Sequence, residues 1–213
     1  MRLGVGIATT PARRGLSWEG IVTPDVVQHI CCDEKYEGVA NTRNTLIETL
    51  MGHDCDYIAI CDDDLIYHTP EWLTLAAQVM DLFELPFACL PDVTKGKRSD
   101  IEYGLEKWDS YIGAFYILSK RAINEVGYFS IKFKGYGFED VHYKYRLHKQ
   151  YGEVGIPSIL PYLVSSMDVL GLNPTPSRMD KIEQIKLNEP IFRSEIENGI
   201  IYYPSTIEQL DSI

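Results

Sequence analysis

The sequence has no apolar segment that approaches the about 18 residues needed to cross a bilayer. Met1 and Arg2 lead into a short apolar segment, residues 3–8, which is too short for the hydrophobic part of a signal peptide. Internal repeats and low-complexity tracts are absent as well, which excludes fibrous and repeat architectures. These absences predict a cytoplasmic protein without a membrane span.

Cysteine is scarce. The 213 residues contain five cysteines, an odd number, and no two of them form a Cys-x-x-Cys pair. All five lie in or beside apolar segments. Because a secreted disulfide framework uses an even number of cysteines, we expect buried free thiols in a reducing compartment.

Positive charge is also in short supply, with 20 lysines and arginines against 31 aspartates and glutamates and a formal net charge of −11. Phosphate backbones and anionic membranes repel such a chain at long range, which disfavours a nucleic-acid partner. The hydrophobic fraction of 45% and the charged fraction of 24% are typical of globular proteins. A chain of this length is expected to bury a full core in one domain.

Short apolar segments alternate with amphipathic ones along the first two thirds of the chain. The apolar segments predict five strands, at residues 3–8, 26–32, 57–61, 87–90 and 111–118. Helices are predicted at 41–51 with Gly52 as a stop, at 70–83 after a Thr69 cap, and at 138–151 before Gly152. This alternation predicts an α/β fold: a single Rossmann-like domain with a mixed, mainly parallel central sheet flanked by helices.

The strand and helix pattern weakens after about residue 170. Residues 173–176 are Asn-Pro-Thr-Pro, and only a charged helix at 179–187 and a final strand at 200–203 are predicted beyond them. We therefore divide the chain into a core, residues 1–170, and a C-terminal extension, residues 171–213, that packs on the core.

Three consecutive aspartates, Asp62, Asp63 and Asp64, follow the third predicted strand. Ligands of such sheets bind beyond the carboxyl ends of the strands, where these side chains lie. Adjacent carboxylates repel one another, so a bound cation or a raised pKa is expected. Because side chains alternate along an extended chain, Asp62 and Asp64 face one way and suit Mg²⁺ or Mn²⁺, which prefer oxygen ligands. A solvated acidic turn is the structural alternative.

Three segments resemble motifs of the GT-A class of nucleotide-sugar glycosyltransferases. Residues 58–64, Ile-Ala-Ile-Cys-Asp-Asp-Asp, resemble the strand and Asp-x-Asp signature that holds a divalent ion against the donor diphosphate. Residues 38–44, Gly-Val-Ala-Asn-Thr-Arg-Asn, resemble the stretch with Ala-x-x-Arg-Asn in family-2-like members. Residues 134–140, Lys-Gly-Tyr-Gly-Phe-Glu-Asp, resemble the Trp-Gly-Trp-Gly-Gly-Glu-Asp segment of galactosyltransferase-like members.

The resemblance implies a single GT-A domain and a metal-dependent glycosyltransferase of the hexosyltransferase type, acting on a hydroxyl acceptor with inversion. Asp140 is the implied catalytic base, because a carboxylate at the start of a helix could take the acceptor proton. The implied metal ligands, for Mn²⁺ or Mg²⁺, are Asp62, Asp64 and Asp168. The implied donor-binding residues are Thr9, Thr10, Arg13, Asp33, Arg43 and Asp63. The implied acceptor- or sugar-binding residues are Trp108, Gly113, Glu139 and His142.

The expected partners are a nucleotide sugar, with a UDP-sugar favoured, and a glycan or small-molecule acceptor. Many relatives place a histidine after a Pro-x-Leu-Val segment as a third metal ligand. Residues 161–168 contain such a segment but no histidine, so Asp168 is the candidate substitute ligand, with an ordinary strand-end aspartate as the alternative. The sequence leaves the oligomeric state open.

Two alternative functions stay open at this point. A Mg²⁺-dependent phosphatase of the haloacid dehalogenase type would use Asp62 as nucleophile and Asp64 as acid. Ile66 stands where that motif has Thr or Val, and two predicted strands and a helix precede it. The other alternative is a non-catalytic sugar- or nucleotide-binding module with the same fold. For Arg43 an ordinary ion pair is an equally weighted role, and for Glu139 and Asp140 the alternative is simple stabilisation of a helix start.

Overall fold

The computed structural model describes residues 1–11, 21–34, 38–93, 98–102, 104–108, 110–166 and 178–204. The strands are β1 (Leu3–Thr9), β2 (Val27–Cys32), β3 (Tyr57–Asp62), β4 (Leu65–Tyr67), β5 (Phe87–Pro91), β6 (Arg98–Glu102), β7 (Leu105–Trp108), β8 (Tyr111–Ser119), β9 (Ile156–Pro157) and β10 (Val164–Ser166). The helices are α1 (Val39–Gly52), α2 (Trp72–Leu82), α3 (Lys120–Val126), α4 (Glu139–Tyr151), α5 (Leu160–Leu163) and α6 (Arg178–Glu197).

The five predicted strands form one central sheet in the order β2-β1-β3-β8-β5. β1 pairs in parallel with β2 and β3, whereas β8 runs antiparallel to both β3 and β5. Four strands therefore share one direction, and the prediction of an α/β fold with a mixed, mainly parallel sheet is confirmed. Two smaller sheets, β10-β4 and β6-β7-β9, were not predicted.

Alternate residues of the central strands face two separate cores. Ala59 and Cys61 of β3 pack into the core that α2 and α5 cover. Ile58 and Ile60 of the same strand pack into the core that α1, α3 and α4 cover. This alternation is the period-two pattern of a sheet buried on both faces.

Glycines end two helices where the sequence predicts it. α1 ends at Gly52, and α4 ends before Gly152, whose φ of 75° closes the helix in the left-handed region. The predicted Thr69 cap is wrong: α2 begins at Trp72, and the Thr69 hydroxyl donates to the Glu71 carboxylate.

The C-terminal part departs from prediction in two respects. The helix predicted at 179–187 extends from Arg178 to Glu197 and passes through Pro190, a residue that normally ends a helix. The predicted strand at 200–203 is wrong, because the described residues there form only a single bridge between Tyr203 and Gly127. The proposed boundary at residue 170 lies outside the described residues and stays a prediction.

All five cysteines are free, as expected. Cys55, Cys61 and Cys89 are buried, whereas Cys31 and Cys32 are only half-buried. Among the described helices, none is long and apolar enough to cross a membrane.

The strand register brings several chain segments to one edge of the central sheet. Thr9, the last residue of β1, pairs with Cys32 at the end of β2, and Ala8 pairs with Asp62 at the end of β3. The antiparallel β8 enters at the same edge, because Phe115 pairs with Cys61 and leaves Gly113 just beyond the ladder. We call this side of the sheet, marked by the ends of β1, β2 and β3 and the start of β8, the carboxyl edge.

Candidate active site

The three motif segments meet at the carboxyl edge. A parallel bridge joins Gly38, directly before α1, to Gly135, in the loop before α4. One helical turn further along α1, the Nη2 atom of Arg43 donates to both carboxylate oxygens of Asp62, at 2.8 and 3.0 Å. Segments 38–44, 58–64 and 134–140, which lie far apart in the sequence, therefore touch one another in space.

Arg43 is a buried cation among carboxylates. Its side chain is 3% exposed, and its guanidinium lies 5.3 Å from the ring centroid of Phe129. Burial alone would lower its pKa, but the Asp62 and Glu139 carboxylates outweigh burial and raise the pKa of Arg43. Among the described residues, its Nη1 atom has no hydrogen-bond partner. Arg43 therefore has a donor to offer at this edge.

The environment of Asp62 disfavours its negative charge. Burial raises the pKa of Asp62 to about 6, Arg43 opposes the rise, and the neighbouring Asp64 and Asp63 add to it. The raised pKa agrees with the expectation from three adjacent carboxylates. Its side chain is still 29% exposed, so this carboxylate remains accessible from the solvent side of the edge.

Asp63 points into the protein. It is buried, and its Oδ2 accepts a hydrogen bond of 2.7 Å from Thr9 Oγ1. The register of Ala8 with Asp62 explains this contact, because it places the next residue of each strand side by side. Thr10 is half-buried beside them. The donor-binding roles of these residues stay predictions.

Asp33 closes the neighbouring corner of the edge. Its backbone N–H donates to the Thr9 carbonyl at 3.0 Å, and its Oδ2 accepts from the Gly38 N–H at 2.9 Å. The Asp33 carboxylate therefore helps fix the start of α1, and its donor-binding role stays a prediction.

Asp140 fits against a glycine of β8. A Cβ atom added to Gly113 would lie 1.7 Å from Asp140 Oδ2, so only glycine leaves room for this carboxylate. The Tyr116 hydroxyl donates to the Asp140 carbonyl at 3.0 Å and fixes the first turn of α4 to the sheet. The structure thus brings Asp140 and Gly113, both predicted site residues, into direct contact.

Glu139 is buried beside Asp140. Burial, with help from the Asp140 charge, raises the pKa of Glu139 to about 7, while Arg43 opposes the rise. Within the part of the chain that the structure describes, Glu139 Oε2 has no hydrogen-bond partner. A donor such as a substrate hydroxyl would satisfy it.

The loop before α4 holds a strained residue. Gly135 and Gly137 have φ values of 66° and 101°, and Phe138 follows with a φ of 73°. A bulky residue in this left-handed conformation costs about 1–2 kcal/mol. Phe138 stands where the motif that the segment resembles has a glycine, so the backbone conformation is kept although the residue is not.

The structure does not bring His142 together with Asp140. The imidazole is fully buried, with its Nε2 3.3 Å from Glu195 Oε2. It packs against Phe133, Phe192 and Tyr203. Burial, then the charges of Arg146 and Lys132, lower the pKa of His142 to about 3. None of its contacts supports the predicted acceptor role.

The remaining predicted residues carry less information. Trp108 lies on β7, where its indole donates to Glu106 of the same strand at 2.8 Å. Arg13 and Asp168 lie outside the described residues. Among the residues that are described, no group of three or more His, Cys, Asp or Glu side chains has the arrangement of a metal site. The metal prediction therefore stays a prediction.

A cavity of about 370 Å³ opens beside α6, away from Asp140. Phe138 faces it and stacks on Phe192 at 4.8 Å, on the α6 side of α4, whereas Asp140 faces β8. The lining residues are Phe138, Glu189, Phe192, Arg193, Ile196 and Glu197.

The sequence reasoning missed the role of Asn44. Its side-chain amide donates to the Phe129 carbonyl at 2.9 Å and accepts from the Phe129 N–H at 2.8 Å. This pair fixes the segment that carries the ring beneath Arg43. The signal was present, because Asn44 is the last residue of the quoted Arg-Asn motif.

Comparisons with known proteins give little. No protein-family model and no curated protein sequence matches the chain. A197 from STIV is 16% identical over 57% of this chain and 66% of that chain, with a TM-score of 0.38. A mannose-1-phosphate geranyltransferase from Thermus thermophilus is 8% identical over 76% of this chain and 68% of that chain, with a TM-score of 0.41. The chain thus spans about two thirds of each structure, and similarity this low supports no functional argument.

Proposed function

We propose that the chain is a metal-dependent glycosyltransferase of the GT-A class, which moves a sugar from a nucleotide sugar to a hydroxyl acceptor. The observation that carries this proposal is the contact among segments 38–44, 58–64 and 134–140 at the carboxyl edge. The resemblance concerned only the residue types in these segments. Their contact in space is an independent observation. A single active site that uses all three segments requires it.

The acidic edge fits a hard divalent cation. Asp62 accepts hydrogen bonds from Arg43, yet each of its oxygens has a second lone pair, and part of the side chain is exposed. Burial raises the pKa of Asp62, the charges of Asp64 and Asp63 add to the rise, and Arg43 offsets it only in part. Mg²⁺ and Mn²⁺ often bind through one or two carboxylates and complete their shell with phosphate oxygens and water. Asp62 and Asp64 would hold the ion, which would neutralise charge on the donor diphosphate.

Asp140 is the proposed base. As the acceptor oxygen attacks the anomeric carbon, its proton moves to an Asp140 carboxylate oxygen and the nucleoside diphosphate leaves from the opposite face, with inversion. The start of α4 stabilises the negative charge of Asp140 before the proton is taken. Glu139 Oε2 and Arg43 Nη1 are both buried and have no hydrogen-bond partner among the described residues. In this proposal they would pair with a second acceptor hydroxyl and with an anionic oxygen of the donor.

The phosphatase alternative fits less well. It requires Asp62 as a nucleophile, but both oxygens of Asp62 accept hydrogen bonds from the Arg43 guanidinium. A carboxylate held in this way is a weakened nucleophile. β3 also lies in the middle of the sheet and is the third strand of the chain.

The experiment is a screen of nucleotide sugars, beginning with UDP-sugars, for nucleotide release with Mn²⁺. Asp140→Asn should keep metal-dependent stabilisation by the donor, because the metal and diphosphate contacts lie elsewhere. It should lower transfer by about 10²–10⁴-fold, the usual contribution of a positioned base. Asp81→Asn is the matched control, since Asp81 is exposed on α2. Full transfer by Asp140→Asn would show that the base is another group.

The same screen separates the alternatives. Absence of any Mn²⁺-dependent thermal stabilisation by nucleotide sugars would contradict the proposal. Turnover of phosphate esters would instead favour the phosphatase. Stabilisation by a nucleotide sugar without turnover of any acceptor would favour a binding module.

A further inference from the structure

Asn188 of α6 binds the backbone of the loop that leads to Glu139 and Asp140. Its side chain is buried, and its residue is only 1% exposed. Its Oδ1 accepts from the Lys134 N–H at 3.1 Å. Its Nδ2 donates to the carbonyls of Lys134, Tyr136 and Gly137, at 2.9, 3.2 and 3.0 Å. One amide side chain thus holds both sides of a tight turn.

The turn and α6 fit closely. A Cβ atom on Gly135 would lie 2.8 Å from Cδ of Gln184, and one on Gly137 would lie 2.9 Å from Cγ1 of Ile185. Both glycines therefore leave room for the helix as well as adopting left-handed backbone conformations. Any looser seating of α6 would remove the contacts that keep the turn in shape.

The conformation of this turn needs outside support. Phe138 follows the turn with a φ of 73°, which is unfavourable for a bulky side chain. Such conformations persist only where the surrounding structure determines them, and they concentrate at functional sites. The hydrogen bonds from Asn188 to residues 134, 136 and 137 supply that support directly before the strained residue.

We propose that Asn188 is a positioning residue, which sets the direction of the Glu139–Asp140 pair by fixing the turn at residues 134–137. α6 is then a working part of the active site. The catalytic meaning of this inference rests on the proposed function, whereas the ordering of the turn does not. Asn188 acts through the turn and touches neither donor nor acceptor.

The contacts at the other end of α6 make this inference testable without loss of the fold. Glu195 lies 3.0 Å from Lys132 Nζ and 3.3 Å from His142 Nε2, and it accepts a hydrogen bond from the Tyr203 hydroxyl. These contacts are independent of Asn188. Removal of the Asn188 amide should therefore loosen the turn and leave α6 docked.

The test compares Asn188→Ala and Asn188→Asp with Asn198→Ala. Asn198 directly follows the same helix, and within the described residues its side chain donates only to Ser194, at 3.4 Å. Asn188→Ala should lower kcat for transfer by about 10²-fold, the usual cost of misplacing a catalytic group by about 1 Å. The Kd for the nucleotide sugar with Mn²⁺ should change less than about threefold, because the proposed donor-binding residues that the structure describes lie on α1 or at the ends of β1, β2 and β3, and none of them lies in the turn. Backbone amides of residues 134–138 should exchange hydrogen faster than in the parent protein.

Asn188→Asp keeps the size and the acceptor but cannot donate to the three carbonyls. It should reproduce the loss of kcat and the faster exchange, and it carries the test if Asn188→Ala does not fold. Transfer and exchange equal to those of Asn198→Ala would overturn the inference. A parent protein that neither binds nor turns over nucleotide sugars would refute the proposed function, and the exchange measurement would still decide whether Asn188 orders the turn.

Discussion

Two arginines, Arg43 and Arg146, are buried in the part of the chain that the structure describes, and their surroundings differ. Arg146 of α4 donates to the carbonyls of Val126 and Ile201, at 2.8 and 3.4 Å, and also to that of Tyr128. The rings of Tyr143 and Tyr203 lie 4.9 and 5.1 Å from its guanidinium. Arg43 instead faces carboxylates, with Asp62 in contact and Glu139 nearby.

The pKa shifts of the two guanidinium groups have opposite directions. Burial lowers the pKa of Arg146 to about 10, and the neighbouring tyrosines and the Glu195 carboxylate offset burial only in part. The carboxylates raise the pKa of Arg43 in spite of its burial. Arg146 ties the C-terminal segment to the core, whereas Arg43 holds together acidic groups that would otherwise repel one another. Arg146 therefore has a structural role, whereas Arg43 belongs to the charged candidate site.

The largest expected effect separates these two roles. Arg146→Met should lower the free energy of unfolding by about 3 kcal/mol, because the buried guanidinium and the hydrogen bonds that it donates to three carbonyls are lost. Arg43→Met should cost less than half of that at pH 6, because Asp62 and Glu139, whose pKa values are already raised, can take up protons. Urea unfolding of both variants measures the difference.

Arg193→Met is the control for both substitutions. Arg193 is an exposed arginine of α6 that pairs with Glu189 of the same helix, and its removal should change stability by less than about 0.5 kcal/mol. Equal losses for Arg43→Met and Arg146→Met would mean that the two arginines have the same role.

The second prediction concerns Glu139 and pH, in protein kept free of divalent ions with EDTA. The pKa of Glu139 is about 7 when folded, above its ordinary value of 4.5, so the folded state binds the extra proton between these pH values. Its burial therefore costs nothing at low pH and costs most above pH 7. Glu139→Gln should match the parent stability near pH 5 and exceed it by about 2 kcal/mol at pH 8.

The comparison is made between the two proteins at each pH, because His142 acts in the opposite direction. Its pKa is lowered to about 3, so it favours the folded state more as the pH rises towards its ordinary value of 6.5. Glu183→Gln, at an exposed position of α6, should show no pH-dependent difference from the parent. If the free energies of unfolding of Glu139→Gln and the parent differ by the same amount at all pH values, the pKa of Glu139 is not raised by folding.

Periodicity was sufficient for the central sheet because β1, β3, β5 and β8 each contain a continuous run of buried residues. The edge strand β2 is only partly buried. Periodicity failed for β4, β6, β7, β9 and β10, which are two to five residues long and form the two smaller sheets. α3 was not predicted, although the sequence contains an N-cap residue for it. Ser119 ends β8, and its hydroxyl accepts from the Ala122 N–H at 3.0 Å. The predicted range of α6 was too short, because proline normally ends a helix and the sequence alone gives no sign that this helix continues through Pro190.

The candidate site was predictable in its residue types and less so in its contacts. For Arg43 the sequence left a donor contact and an ordinary ion pair equally open. The ion pair exists, but with Asp62 inside the site and not on a helix surface. The sequence offered no signal for Asn188, because a single asparagine in a charged helix resembles any solvent-facing residue. Its importance follows only from the tertiary contact with the turn.

The last and smallest effect concerns the contact between Gly113 and Asp140. In Gly113→Ala the new methyl group would lie 1.7 Å from Asp140 Oδ2, so the carboxylate must turn away towards solvent. Because Asp140 is only half-buried, this movement should leave stability nearly unchanged and lower transfer by about tenfold, or about 1.4 kcal/mol in the barrier. Gly52→Ala is the matched control, since a methyl group there meets nothing within 4 Å. Nucleotide release with saturating donor measures both variants. Equal rates for the two variants would mean that Asp140 does not act from its position beside β8. A loss of transfer in Gly113→Ala alone would instead place the reaction at the carboxyl edge, where Arg43 lies, and not near Arg146.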